Sequence, residues 1–315
     1  MIILLASDDN FVQHCCVTMT SVLVHNPGAE FYLFTEGLSE TSIDLLNKIF
    51  NKHQGMLHIC KIEHSQLADF PMPSFMSAHI SIATYYRLFA ERVLPHTIEK
   101  ILYLDCDIVV RDSLQELWDT NLDSYALAAV YQSHEHSEGS ERGPRAYTRL
   151  SIPKEDGYFN AGVLLINLKY WREKSVTQRL FDFIKEHHNL IHAHDQDTLN
   201  AVLYKETKVL NPTWNYRECF MDGRKYTYPS KIDYSKLPEY PVVIHFVSKP
   251  KPWQYFCRHP FRNEYYKYLY ETPFSSFKPR WTWAEFKQYR LTPIIYKTII
   301  KIDVFNLRKL MKKFV

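Results

Sequence analysis

No stretch of about 18 uncharged apolar residues occurs in the chain, so no segment reads as a membrane-spanning helix. The start, Met1-Ile2-Ile3-Leu4-Leu5-Ala6, lacks the basic lead and small-residue cleavage site of a signal peptide and reads as a first strand. The 6 cysteines (Cys15, Cys16, Cys60, Cys106, Cys219 and Cys257) never fall in C-x-x-C spacing. That argues against a zinc cage or redox pair and leaves reduced thiols in a cytosolic protein as the default. Histidine is plentiful, and His188 and His192 stand at helical i, i+4 spacing. No H-E-x-x-H accompanies them, and His134 and His136 fall in a polar stretch. Charge of one sign is scarce: 38 basic against 35 acidic side chains leave a net +3, too little to mark a nucleic-acid binder. No internal repeat or low-complexity tract is present.

What remains is an ordinary globular composition, 46% hydrophobic and 23% charged over 315 residues. It suits one large domain, or one domain with a small appendage. Apolar runs alternate with amphipathic stretches in the first half, the pattern of an α/β sheet. Strands are expected over Met1–Ala6, Phe31–Phe34, Leu57–Ile62, 101–110, Ala126–Val130, Gly162–Asn167 and Val242–Val247. Helices are expected over Val12–Val24, Ser42–Asn51, Ser81–Val93, Leu180–Glu186 and Thr198–Tyr204. The polar stretch from Tyr131 to Tyr158, with Gly139, Gly143, Pro144 and Pro153, reads as an irregular functional loop. After Trp253 the composition shifts toward aromatic and basic residues with prolines, which suggests an appendage.

Lys100 to Val110 carries the sharpest signal. An apolar run delivers Asp105 and Asp107 at i, i+2 spacing, and alternate side chains of extended backbone share a face. Two adjacent carboxylates repel unless a cation lies between them, so the pair fits a hard divalent metal that also grips a diphosphate. The other reading is a strand end whose aspartates only start a turn. Open α/β sheets bind ligands at the carboxyl ends of their strands. That rule adds Asp8 and Asn10 after the first strand, His245 in the late strand, and Lys249 and Lys251 just beyond it. An imidazole ligand tilts such a site from Mg²⁺ toward Mn²⁺.

These segments together resemble glycosyltransferase family 8, the glycogenin-like group, and are most similar to bacterial lipopolysaccharide and lipooligosaccharide galactosyl- and glucosyltransferases. The resemblance rests on Ala6-Ser7-Asp8-Asp9-Asn10, His79 through Leu88, Leu104-Asp105-Cys106-Asp107, Phe159 through Asn167, Asp195-Gln196-Asp197, and His245 through Trp253. It implies an α/β fold of the GT-A nucleotide-sugar transferase type, a mixed, mainly parallel sheet flanked by helices, over residues 1–255. It also implies a UDP-hexose donor, with Mn²⁺ (Mg²⁺ as the alternative) held by Asp105, Asp107 and His245. Asp8 and Asn10 would contact the uridine, with Ala6 in the same nucleotide-binding set. Lys251 and His79 would contact the diphosphate. Arg87, Asn160, Asp195 and Gln196 would line the donor sugar. Ser248 stands where the family often has glycine, which suggests an altered loop closure with N–H and O–H still available to phosphate.

The family retains anomeric configuration, and no buried carboxylate pair of the glycosidase type stands out. Gln196 is a poor nucleophile, so a short-lived oxocarbenium-like ion attacked on the leaving-group face is expected, with an Asp195 adduct as the rival. Asp195 as an N-cap and Arg87 as a surface ion-pair partner are the structural alternatives. An aromatic and basic extension is expected over 256–290, followed over 291–315 by a basic amphipathic helix. There Ile294, Ile295, Thr298, Ile299, Ile302 and Phe305 recur at helical spacing beside a stripe of Lys297, Lys301, Arg308 and Lys312. Such a helix suits an anionic bilayer, which would place a cytoplasmic enzyme peripherally on the inner face of the cell membrane; the alternative is packing on its own domain. The acceptor would be an oligosaccharide or lipid-linked glycan, with no nucleic acid involved. A haloacid-dehalogenase-type phosphatase and a non-catalytic carbohydrate-binding protein are the rival classes.

Overall fold

A computed structural model of the protein describes residues 1–63, 82–133, 146–221, 227–229, 232–235 and 237–292. The strands in chain order are β1 (Ile2–Ala6), β2 (Glu30–Thr35), β3 (Met56–Lys61), β4 (Lys100–Leu104), β5 (Ile108–Val110), β6 (Leu127–Gln132), β7 (Tyr158–Asn167), β8 (Thr207–Val209) and β9 (Val243–His245). Seven of them form one sheet in the order β3-β2-β1-β4-β7-β6-β8, and β5 and β9 form a separate antiparallel pair. In the large sheet β7 runs antiparallel to both neighbours, and the remaining pairs are parallel. Ile-Ile-Leu-Leu-Ala and Lys-Ile-Leu-Tyr-Leu are near-continuous apolar runs because β1 and β4 sit mid-sheet with both faces covered.

The first crossover is α1 (Val12–His25), the second α2 (Glu40–His53), capped at its start by the Ser39 hydroxyl on the Ser42 N–H. Helix α1 is buried almost all round, yet it carries Thr18, Ser21 and Asn26 on or beside its inner face. Those groups are spoken for. Thr18 Oγ1 donates to the carbonyls of Ile108 (2.8 Å) and Cys106 (3.1 Å). Ser21 Oγ accepts from the Val110 N–H at 3.0 Å, and Asn26 Oδ1 from the Leu114 N–H at 2.7 Å. The helix thereby supplies the hydrogen bonds that the backbone leaving β4 lacks in the main sheet.

Two further helices, α3 (Val176–His187) and α4 (His194–Leu203), pack against each other and bring α4 against β7. Past residue 256, α5 (Arg262–Leu269) returns to α1, where Tyr265 OH meets His14 Nδ1 at 2.8 Å and Tyr268 OH meets His25 Nε2 at 2.7 Å. Tyr265, Tyr268 and Leu269 share a buried cluster with Val17, Val109 and Ile244. This second core packs the β5–β9 pair against α1.

The alternation of strands and helices is as expected, but several boundaries move. The 101–110 strand is two strands in two sheets, and Asp105-Cys106-Asp107 is the turn between them. Residues Ile82–Phe89 are 3₁₀ in character, with α-helix only over Ala90–Val93. Helix α4 begins at His194, in the left-handed region (φ 51°), so Asp195 lies in the first turn and is not an N-cap. Strand β9 stops at His245 and lies outside the main sheet. Residues 134–145 of the expected loop and the 293–315 part of the expected terminal helix lie outside the described residues. The described part of that loop includes a helical turn, Ala146–Arg149.

Thr18→Val keeps the shape of the side chain and removes its hydrogen bond to the Asp-x-Asp turn. It is expected to lower the urea-unfolding free energy by about 1–2 kcal/mol. An unchanged midpoint would show that the hydroxyl does not hold the turn.

Candidate active site

The carboxyl ends of β1 and β4 open into a cleft of about 390 Å³ whose walls include Ala6, Asp8, Phe11, Arg87, Asp105 and Asp195. Asp105 and Asp107 line it from the turn between β4 and β5, and His245, at the end of β9 and paired with Ile108, lies against the two carboxylates. For each of the three, one polar atom is already engaged. Asp105 Oδ1 accepts from Arg87 Nη2 (2.9 Å) and Tyr103 OH (2.8 Å). Asp107 Oδ2 accepts from Lys251 Nζ at 2.7 Å. His245 Nδ1 donates to Asn215 Oδ1 at 2.9 Å.

The other atom of each faces a common point. His245 Nε2 lies 3.1 Å from Asp107 Oδ1 and 3.6 Å from Asp105 Oδ2, and one ligand atom from each residue fits within 4.8 Å of the others. Asp107 Oδ1 is buried and has no hydrogen bond. With Nδ1 as donor, the neutral imidazole turns the Nε2 lone pair inward. Three electron-rich atoms thus converge, the donor set of a divalent cation with oxygen and nitrogen ligands. Burial would push the Asp107 carboxyl up; a protonated His245 and the Lys251 ammonium pull it well below the usual carboxylate range, and with the imidazole neutral Lys251 alone carries that pull. The backbone makes room for this point: a Cβ on Gly162 would lie 2.1 Å from His245 Cε1 and 2.8 Å from Asp105 Oδ2.

Arg87 knits the Asp195 side of the cleft together. It is buried, its Nη1 donates to the Ala161 carbonyl at 2.6 Å, and its guanidinium lies 4.0 Å from the centre of the Tyr103 ring. Its Nε is 3.1 Å from Asp195 Oδ2. The surface ion-pair alternative for Arg87 is therefore set aside. Burial pushes the Asp195 carboxyl up to about 7 despite the opposing pull of Arg87. Asn160 on β7 donates from Nδ2 to Gln196 Oε1 at 3.0 Å, so the structure brings those two candidates together.

The nucleotide-side candidates are less uniformly placed. Asp8 lines the cleft and caps a short turn through the N–H groups of Asn10 and Phe11. Asn10 is exposed and outside the cleft lining, whereas Phe11 forms part of the wall. Ala6 offers its carbonyl to the Cys106 thiol at 3.3 Å. Ser248 is exposed, lies outside the left-handed region, and donates its N–H to Glu218 Oε1 at 3.0 Å. The loop that carries Lys251 is pinned by Trp253, stacked on His14 at 3.6 Å. His79 lies outside the described residues. Sequence reasoning missed Tyr103, Phe11, Asn215 and the clearance at Gly162. Tyr103 was findable, since it precedes Asp105 by two residues on an extended segment.

Residues 2–257 match the family described as Glycosyl transferase family 8, and the chain belongs to that family. It is 27% identical over 286 residues to general stress protein A of Bacillus subtilis, spanning 88% of this chain and 95% of that protein. To the lipopolysaccharide 1,2-glucosyltransferase of Escherichia coli K12 it is 28% identical, over 87% of this chain and 78% of the relative. Among solved structures it resembles the galactosyltransferase LgtC in complex with donor and acceptor sugar analogs. That likeness has a TM-score of 0.75 and 29% identity, covering 87% of this chain and 96% of the other. The fold is accordingly of the GT-A type and the protein a glycosyltransferase; neither the phosphatase nor the non-catalytic reading gains support.

If the three converging atoms hold a divalent cation, Gly162→Ala is expected to fold and to bind it more weakly than wild type, with Mn²⁺ as the probe and unbound Mn²⁺ read by electron paramagnetic resonance. Affinity equal to wild type would contradict the crowding at this position. A second prediction follows from Asp195. A carboxyl with a raised folded pKa stabilises most at low pH and loses that contribution as pH rises from about 4 through 7. Relative to Asp195→Asn, the wild type should therefore lose about 2–4 kcal/mol of stability between pH 4 and 8. A pH-independent difference in urea unfolding would contradict it.

Proposed function

We propose that the protein is a retaining hexosyltransferase that moves galactose or glucose from a UDP-sugar to a glycan acceptor, lipopolysaccharide or another surface polysaccharide. One observation carries the reading: Asp105 Oδ2, Asp107 Oδ1 and His245 Nε2 converge while the partner atom of each is engaged elsewhere. In it, these residues hold Mn²⁺, or Mg²⁺ as the weaker alternative. The bound metal supplies charge neutralisation to the diphosphate leaving group.

Departure of UDP builds negative charge on the β-phosphate oxygen, and Lys251, 2.7 Å from Asp107, brings a second cation to that side of the site. Asp8, Ala6 and the aromatic face of Phe11 would receive the nucleoside, with Asn10 at the rim. The Ser248 and His79 positions would serve the diphosphate. Arg87, Asn160, Asp195 and Gln196 would hold the hexose. Two features favour same-face attack by the acceptor over a covalent intermediate. Gln196 Oε1 already accepts two hydrogen bonds, and burial favours the neutral, weakly nucleophilic form of Asp195. Relatives bearing glucosyl- and galactosyltransferase names support a hexose donor.

Residues 1–255 would form the catalytic unit, 256–290 its aromatic and basic extension, and 291–315 a membrane-associating helix. No helix among the described residues is long and apolar enough to cross a membrane. A peripheral site on the inner face of the cell membrane is favoured by the exposed Trp281 and Trp283, close in sequence to Lys278 and Arg280.

Wild-type protein should hydrolyse UDP-galactose or UDP-glucose slowly in the presence of Mn²⁺ and not after chelation. Asp105→Ala and Asp107→Ala should each reduce that turnover by at least about 1,000-fold with the far-ultraviolet circular dichroism unchanged. Near-normal turnover in either variant would rule out the metal assignment. Deletion of 291–315 should release the protein from anionic vesicles and spare donor hydrolysis; unchanged vesicle binding would defeat the membrane proposal.

A further inference from the structure

Between the metal-site histidine and helix α4 runs a line of polar side chains, buried except for the half-buried Gln196, in which Asn215, Tyr158 and Asp197 have no part in the proposed chemistry. His245 Nδ1 donates to Asn215 Oδ1 (2.9 Å), and Asn215 Nδ2 to Asn160 Oδ1 (2.8 Å). Asn160 Nδ2 donates to Gln196 Oε1 (3.0 Å), and Gln196 Nε2 to Tyr158 OH (3.1 Å). Tyr158 OH then donates to Asp197 Oδ1 at 2.7 Å. All five bonds point the same way, from the imidazole to a carboxylate.

The direction is forced by groups that have no choice of role. Backbone N–H groups only donate. The Gly162 N–H reaches Asn160 Oδ1 at 3.1 Å and the Ala161 N–H reaches Gln196 Oε1 at 3.0 Å. These two bonds fix which end of each amide is oxygen, without appeal to the electron count of the side chain. At the far end Asp197 is 0% exposed, and its Oδ2 accepts from Arg149 Nη1 and the N–H groups of His192 and Ala193, each at 2.7 Å. An ionised carboxylate can only accept, so Tyr158 must donate to it and must accept from Gln196. At the near end Asn160 Oδ1 claims the Asn215 amino group. Asn215 can therefore offer His245 only an oxygen, which holds the proton on Nδ1 and the lone pair on Nε2.

We propose that Asn215, Tyr158 and Asp197 are positioning residues: a one-way hydrogen-bond chain that locks the His245 tautomer at one end and the Gln196 amide at the other. The inference rests on the reading of the cleft as a metal-dependent donor site. Its content is the orientation of Gln196. Both lone pairs of Oε1 are used, so the amide turns an N–H toward the cleft and serves the donor sugar as a hydrogen-bond donor. The chain also makes metal binding and sugar placement parts of one arrangement, since both ends share Asn160.

Three variants separate this role from a merely structural one, with Mn²⁺ affinity measured by electron paramagnetic resonance and kcat by UDP-hexose hydrolysis. Tyr158→Phe removes one oxygen and frees the Gln196 amide; kcat should fall about 10–100-fold with the Mn²⁺ Kd within about 2-fold of wild type. Asn215→Asp keeps an acceptor for His245 but sets oxygen against Asn160 Oδ1; it should retain Mn²⁺ binding and lose kcat to a similar degree. Asn215→Ala should weaken Mn²⁺ binding itself by about 10–100-fold. Wild-type kcat in both Tyr158→Phe and Asn215→Asp, or equal losses of metal affinity in all three, would overturn the chain. If the wild type neither binds Mn²⁺ nor hydrolyses a UDP-hexose, the donor-site reading falls first and the proposal with it.

Discussion

Three lone-pair-bearing atoms aimed at one point repel one another, and the protein is built to keep them there. Asp105 Oδ2, Asp107 Oδ1 and His245 Nε2 converge within 4.8 Å because every alternative partner has been assigned elsewhere. Arg87 and Tyr103 occupy one oxygen of Asp105, Lys251 one oxygen of Asp107, and Asn215 the far nitrogen of His245. Without a cation at the centre this arrangement costs free energy, since desolvated like charges are stabilised only by a counter-charge. The remainder of the fold can be understood as what makes that cost tolerable.

Its means are local and identifiable. Helix α1 and its C-cap Asn26 lend hydroxyl and amide groups to the backbone between Cys106 and Leu114, so the chain can leave the main sheet there with its hydrogen bonds satisfied. The β5–β9 pair carries His245 to the opposite side of the same point. Gly162 on β7 gives clearance that any side chain would fill. The Lys251 loop is anchored by the stack of Trp253 on His14, whose imidazole burial depresses to about 4 and so keeps neutral against the indole. A transferase needs this rigidity, because stabilisation of a leaving group depends on charges already in place when the bond breaks.

Much of the site was legible from residue spacing and family resemblance: Asp105, Asp107, His245, Lys251, Arg87, Asn160 and Gln196 all take part in one connected arrangement. The route by which the two aspartates converge was not. Period-2 alternation suggested one strand through 110, but the turn at Cys106 is decided by Thr18, 90 residues before Ile108 in sequence. Local pattern carries no trace of such a pairing. Asp195 looked like a helix cap because the left-handed His194 starts α4 four residues before the expected start at Thr198. Asn215 left no signal at all, since its importance comes from contacts 30 and 55 residues away. The short β8 escaped notice because Thr-Lys-Val is too brief to show a period.

The central claim concerns where a cation sits, and anomalous X-ray scattering answers it most directly. Crystals grown with Mn²⁺ and UDP should show one strong manganese peak about 2.1 Å from Asp105 Oδ2, Asp107 Oδ1 and His245 Nε2, with the diphosphate completing its coordination. A cleft holding UDP with no manganese between those three atoms, or manganese bound through other side chains, would contradict the account.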